Sequence, residues 1–495
     1  MTQTQDDGPP RRSPGARRLA DGTAENPDRG RYTVAVKTLT LVLLAAYATA
    51  LILLARRRPG KRPEYLLAGR RLTLPAFVAT LVTTWYGGIL GIGEYAWRFG
   101  ISTWVVFGLP YYLAALLFAL LLTRRLRKSG AMSIPDLLHE TYGRRAAVTG
   151  AWAVFGMTVP AAYVLMLAVL LSQVTSWPLW SSALVAAAFS AIYVGMSGFE
   201  SVVRTDALQF VLMYGGFLIL LPIALHHTGG LSGLWAAVPA GHRAWDGGLG
   251  WQAVAVWYLI ALQTMVEPAF YQRVFAARTP EIARNGVLVS VLCWMVFDFL
   301  TVFTGLAARV LLPHLPDPVA AYPALAKLLL PALPYALFMI GLFATVMSTL
   351  DSYLFLAAAT LGHDLGHPGL SASEDRVRTK WGLVVSAVLA AGAALAFGSV
   401  VRIWHDVGSV VTSALLLPVL SIHFPPRFRY SENGAVTAMI LSGTLATVWI
   451  VGRTGTTYPY GIEPMFPALA ISMTCLAVDI VRRARASSRG RGHDR

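Results

Sequence analysis

The chain has 495 residues, 56% of them apolar and only 13% charged, with a mean hydropathy of +0.57 and a formal net charge of +16. A water-soluble protein carries roughly 25% charged residues, so this share excludes a surface facing mainly water. Nucleic-acid binding is excluded as well, because Lys and Arg sit in short blocks between apolar runs, as membrane topology signals do, and not along one basic stripe.

Residues 1–31 are polar, rich in Pro, Gly and Arg and of mixed charge, the composition of a disordered tail. Runs of about 20 apolar residues, each long enough to cross a hydrocarbon core of roughly 30 Å, then recur along the chain. They fall at 32–55, 73–97, 101–123, 147–172, 179–198, 205–227, 250–272, 285–312, 334–360, 381–400, 403–423, 434–452 and 465–481. The reading is an all-α polytopic membrane protein of about 13 spans. The first run lacks a small-residue cleavage site before the next basic block, so it is a retained helix, not a signal peptide. Cys293 and Cys475 lie inside apolar runs and form no disulfide framework.

Placing the loop RRRPGKRPEYLLAGRR (56–71) in the cytoplasm and alternating from there puts 28 of the 41 Lys and Arg residues inside. Six fall outside (Arg98, Arg243, Arg309, Lys327, Arg402 and Arg453), leaving Lys37 and six Arg of the N-terminal tail. This bias orients an inner-membrane protein with its N-terminus outside and its C-terminus, ending in the basic tail 482–495, in the cytoplasm. The outside connections 228–249 and 313–333 are rich in Gly, Pro, His and Trp and are expected to form short re-entrant or interfacial pieces. The inside segment SIPDLLHETYG (133–143) is expected to be a short helix capped by Ser133.

Two spans carry helix breakers at matched places. The second reads LVTTWYGGILGIGEYAW (81–97), with Gly87-Gly88 and Gly91/Gly93 following Thr83, Thr84 and Trp85; the seventh reads LIALQTMVEPAFYQR (259–273), with Gln263, Thr264, Glu267 and Pro268 deep in the apolar run. Gly can serve close packing and Pro a harmless kink. These two spans, however, head consecutive five-helix sets, 73–227 and 250–423, and an odd number of helices makes the sets run in opposite directions. That is the geometry of a five-plus-five inverted repeat with a midplane site between broken helices. The first helix and the last two, 434–481, are then peripheral.

Charged side chains at mid-depth are costly in a membrane and are functional candidates. Glu94, Asp206, Glu267, Asp298, Asp351 and Asp406 fall in or near apolar runs, with Glu94 and Asp206 near span ends, where a solvated position is the alternative. The ninth span, GLFATVMSTLDSYLFLAAAT (341–360), clusters Thr345, Ser348, Thr349 and Ser352 around Asp351. Hydroxyls and free carbonyls are hard oxygen ligands suited to an alkali cation. The alternative is that the same hydroxyls bond back to the preceding turn.

The residues EYLLAGRRL (64–72), TTWYGGILGIGEYAWRFG (83–100), SIPDLLHETYG (133–143), RTDALQFVLM (204–213), YQRVFAARTPEIARNG (271–286) and ATVMSTLDS (344–352) resemble the sodium:solute symporter family in order and spacing. The resemblance implies a leucine-transporter-type fold, alternating access and sodium-driven uptake of a small solute, with sodium as coupling ion and no other cofactor. It also implies sodium ligation by backbone carbonyls of Leu81, Thr84 and Thr345 and hydroxyls of Ser348 and Thr349. Asp206 would be a waystation for cation release, and Trp85, Tyr86, Gln263, Thr264 and Glu267 would line the solute pocket. Thr345 stands where relatives usually have Ala, Thr83 where some carry an acid, and Glu267 where several have a neutral polar residue. Proton coupling through Glu267 or Asp206 is the alternative within the fold. A membrane sensor is disfavoured because no soluble domain follows RRARASSRGRGHDR, and an enzyme because no HExxH or GxSxG motif occurs.

Overall fold

A computed structural model describes residues 27–56, 62–366, 371–397, 400–455 and 457–490. Most of the tail at 1–31, part of the basic loop at 56–71 and residues 491–495 therefore lie outside the described residues. Among those described, 13 helices are long and apolar enough to cross a membrane, each matching one predicted run. We number them in chain order as spans 1 to 13.

Burial separates core from periphery. Span 2 (Leu74–Phe99) and span 9 (Ala332–Asp364) have 78% of their apolar stretch enclosed, whereas span 1 (Val34–Ala55), span 12 (Pro426–Val451) and span 13 (Met465–Arg485) have 22%, 28% and 17%. The three outer helices therefore expose apolar sides to lipid, and the middle of the bundle is built around spans 2 and 9.

Both predicted interruptions are present. Span 2 is helical over Leu74–Trp85, tightens into a 3-10 turn at Tyr86–Gly88 and resumes over Ile89–Phe99. Span 7 (Trp251–Ala276) is helical to Ile260, runs as 3-10 helix over Ala261–Val266, turns extended at Glu267 and restarts at Pro268. Pro268 suits the first turn of the new half-helix because its missing N–H would have no intrahelical partner there.

Two irregularities escaped the sequence reading. Span 4 (Arg144–Thr175) breaks at Val159-Pro160, and span 3 (Trp104–Leu121) opens with a π-helical turn at Trp104–Gly108 ahead of Pro110. Span 6 also differs. It begins at Phe199, so Asp206, placed near a span end by its sequence, lies two turns inside and is fully buried. The first turn carries the Glu200–Arg204 ion pair, whose charges hide a helix start from any hydropathy pattern.

The short segments between spans are largely helical. Ser133 accepts a hydrogen bond from the Asp136 amide and caps helix Ile134–Tyr142. The two long connections fold into Gly230–Ala237 with Ala240–Arg243, and into Pro318–Ala320 with Ala321–Leu329. On the basic-loop face, the Leu72 amide donates to the Ala276 carbonyl at 3.1 Å and the Arg278 amide to the Leu72 carbonyl at 3.0 Å. The Arg127 guanidinium adds a hydrogen bond to the Ala277 carbonyl at 2.5 Å. These contacts staple the start of span 2 to the end of span 7 and close that side of the bundle.

Candidate functional site

The break in span 2 is packed directly against span 9. A Cβ on Gly87 would lie 2.2 Å from Cβ of Thr349, so only glycine lets the two helices approach this closely. The Thr349 hydroxyl donates to the carbonyl of Thr84 at 2.8 Å and reaches that of Thr83 at 3.2 Å. The 3-10 turn that follows leaves these carbonyls available to a side chain. Ser348, one residue earlier, donates to Asp206 Oδ1 at 2.6 Å. Thr345 alone of the three bonds back to the preceding turn, to the Gly341 carbonyl at 2.7 Å. Leu81 is buried in the same wall. Of the five predicted cation ligands, Thr84 and Thr349 are thus in direct contact where spans 2 and 9 meet, and Ser348 and Thr345 lie on the same stretch of span 9.

Beneath this oxygen cluster lies a second feature that the sequence reading assigned elsewhere. Arg273, counted with the cytoplasmic basic residues, is fully buried on the second half of span 7. Its Nη2 donates to the hydroxyls of Ser352 at 2.7 Å, Thr84 at 2.8 Å and Thr80 at 3.0 Å, and lies 3.9 Å from Asp206 Oδ2. Thr80 donates its own hydroxyl proton to Asp206. Asp206 and Arg273 therefore join spans 2, 6, 7 and 9 in one network, and the buried charges are paired as low-dielectric surroundings demand. The signal available in the sequence was the interval from Glu267-Pro268 to Arg273, under two turns inside an apolar helix.

On the far side of the two breaks, away from the stapled face, lies a cavity of about 140 Å³. Trp85, Tyr86, Gln263 and Glu267 line it, as expected. Thr264, predicted to do so, does not; in 3-10 geometry successive residues point about 120° apart, so the side that presents Gln263 turns Thr264 away. The unforeseen breaks add to the wall: Val159 and Tyr163 come from span 4 and Phe107 from the π-turn of span 3. Asp298 also lines the cavity, accepting hydrogen bonds from the Tyr86 hydroxyl at 2.6 Å and from the Tyr112 hydroxyl.

The remaining intramembrane acids are accounted for locally. Asp351 accepts from Ser190 at 2.5 Å and from Tyr193, tying span 9 to span 5 (Leu179–Ser197). Glu94 pairs with Arg98 at 2.9 Å near the end of span 2, the solvated alternative. Asp406 lies at the end of span 11 (Val400–Ser421), 3.7 Å from Arg453.

Residues 65–443 match the family model described as the sodium:solute symporter family. This chain belongs to the sodium:solute symporter family. It is 23% identical over 469 residues to the sodium/pantothenate symporter of Escherichia coli (strain K12), a match covering 89% of this chain and 95% of that protein. It is 28% identical over 191 residues to sodium-coupled monocarboxylate transporter 2 of Danio rerio, a match that covers 38% of this chain and only 30% of that relative. Among solved structures, a Na+-coupled sialic acid symporter in a substrate-bound outward-open state superposes with a TM-score of 0.75 at 17% identity, over 90% of this chain and 97% of that one. The family member described here thus has the leucine-transporter-type fold, with 13 candidate membrane helices among the described residues. The family is one of transporters, not enzymes.

Proposed function

We propose that this protein carries a small organic solute into the cell by sodium-coupled symport and alternating access. The observation that supports it most is the oxygen cluster at the span 2 break. The Thr349 hydroxyl already sits on the carbonyls of Thr83 and Thr84, and Ser348 gives its proton to Asp206. The free lone pairs of both hydroxyls and the carbonyls of Leu81, Thr84 and Thr345 are the ligands we assign to sodium. Neutral oxygens hold an alkali ion weakly enough to release it each cycle. Asp206, at the lower edge of the cluster, is the next stop toward the cytoplasm.

The solute occupies the cavity across the breaks, bounded by Trp85, Tyr86, Gln263 and Glu267. Both ligands contact span 2 at its break, so each stabilises the conformation the other needs. With the orientation read from the charge bias, the stapled face is assigned to the cytoplasm and the cavity to the outward-facing side. Membrane potential then contributes about 2.3 kcal/mol per sodium per 100 mV to inward transport.

The test is a thermal-shift screen of purified protein against solutes in sodium and in potassium, followed by uptake of the hit into proteoliposomes. Stabilisation that requires sodium, and uptake driven by an inward sodium gradient, are expected. Uptake driven equally by a proton gradient in sodium-free buffer would transfer the coupling to Glu267 or Asp206 and overturn the sodium assignment.

A further inference from the structure

The charge and lining of the cavity go further than the family does, toward the class of solute. Among the described residues the charged groups that line it are two carboxylates, Glu267 and Asp298, and no Lys, Arg or His does so. Neither carboxylate forms an ion pair among the described residues; Glu267 feels the charge of Arg273 from beyond ion-pair distance. Glu267 accepts from Gln263 Nε2 at 3.2 Å and from the Ala269 amide at 3.4 Å, both neutral donors. Both oxygens of Asp298 accept from tyrosine hydroxyls. Arg273 is spent below, on Thr80, Thr84, Ser352 and Gln272, with Asp206 as its counter-charge.

The rest of the wall is aromatic. Trp85, Tyr111, Tyr163, Trp257, Tyr353 and Trp404 come from six different spans. The rings do not stack flat on one another: Trp85 and Tyr111 meet edge-on at 63°, and Tyr163 is tilted 55° against Tyr353 and 45° against Trp404. Trp404 is brought over the break by Gly88, where a Cβ would fall 1.9 Å from its Cη2. Electron-rich ring faces around buried carboxylates that have no ion-paired cation attract a desolvated cation and repel a free anion. A cavity of about 140 Å³ admits a headgroup and not a large molecule, being smaller than the roughly 300–1,000 Å³ of drug-sized sites.

We infer that the transported solute is a small organic cation of the ammonium type, held by Glu267 and the aromatic wall. This rests on the symport reading above and adds the solute's charge to it. The carboxylate of Glu267 supplies the counter-charge, and Trp404 and Tyr163 supply ring faces. The competing role for Glu267 is as cap of the half-helix that starts at Pro268. A glutamine at that position keeps the acceptor oxygen and removes only the charge, so the two roles separate.

The experiment measures thermal stabilisation of the full-length protein in sodium and in potassium. The probes are tetramethylammonium, choline, the uncharged analogue of choline with carbon in place of nitrogen, and lactate. In sodium, choline and tetramethylammonium are expected to bind, with the carbon analogue about tenfold or more weaker than choline. Glu267→Gln is expected to bring choline and its carbon analogue to within about threefold, and Trp404→Leu to weaken choline about tenfold with the fold intact. Failure of both ammonium probes to stabilise the protein in sodium overturns this inference, as does a choline preference that survives Glu267→Gln. Stabilisation by lactate alone overturns it while leaving the symport reading in place. Indifference of the protein to sodium against potassium, with or without any probe, overturns the symport reading instead.

Discussion

Replacing Asp206 with Asn tests whether the network below the span 2 break sets sodium affinity. Ser348 donates to Asp206 at 2.6 Å, so an ion on the Ser348 oxygen would lie about 5 Å from the carboxylate and be attracted by about 3 kcal/mol at an effective dielectric constant of about 20. Arg273, hydrogen-bonded to Thr84 at 2.8 Å, would oppose the same ion from about 6 to 7 Å by about 2.5 kcal/mol. The two charges nearly cancel, and each variant unbalances them in a known direction. Asp206→Asn should raise the half-saturating sodium concentration by about a hundredfold, and Arg273→Gln should lower it. The double variant should return to within about threefold of the parent. Asp206→Asn also leaves Arg273 buried without a counter-charge, at about 3–5 kcal/mol of stability, so the double variant serves as the folded control. Sodium titration of the thermal midpoint reads all three. A sodium affinity unchanged in Asp206→Asn, or weakened in Arg273→Gln, would refute this electrostatic account.

Other expectations follow from the same geometry. Gly87→Ala should destabilise the protein by about 1–3 kcal/mol and abolish its sodium response, because the new Cβ meets Thr349; Gly156→Ala, with no atom within 4 Å, should do neither in the same thermal assay. Tyr193→Phe removes a donor to Asp351 and should lower stability by about 1–3 kcal/mol without changing sodium affinity. His423 lies just beyond span 11, where burial, followed by Arg125 and Arg429, presses its pKa from 6.5 down to about 4. The folded state therefore prefers the neutral ring. The stability this contributes is complete above pH 6.5 and is lost as pH falls toward 4. A thermal midpoint followed over that range should fall less steeply in His423→Asn than in the parent.

The span count and both paired breaks were legible because hydropathy and Gly or Pro placement are local signals. Gly87 and Gly88 stand beside Trp85, and Pro268 follows an acid inside an apolar run. What was not legible depends on which helices touch. Arg273 read as one more cytoplasmic charge because a hydropathy pattern cannot tell a buried guanidinium with a carboxylate partner from a solvated one; its partner Asp206 is 67 positions away by subtraction of the residue numbers. Asp298 was visible as an intramembrane acid, but its place in the cavity wall depends on Tyr86 and Tyr112 reaching it from spans 2 and 3. Pro160 was a visible breaker in span 4 that had no matched counterpart to draw attention to it. Thr264 directly follows Gln263, and the 3-10 geometry that turns the two apart is not encoded in hydropathy.

Equilibrium binding of radioactive sodium to the purified protein, compared with the Ser348→Ala/Thr349→Ala variant, addresses the proposed ion site without needing the solute. Saturable binding to the parent, lost in a variant that keeps its thermal midpoint in potassium, is the expected outcome. Equal sodium binding by the two proteins would leave the junction of spans 2 and 9 without the ion on which the transport cycle depends.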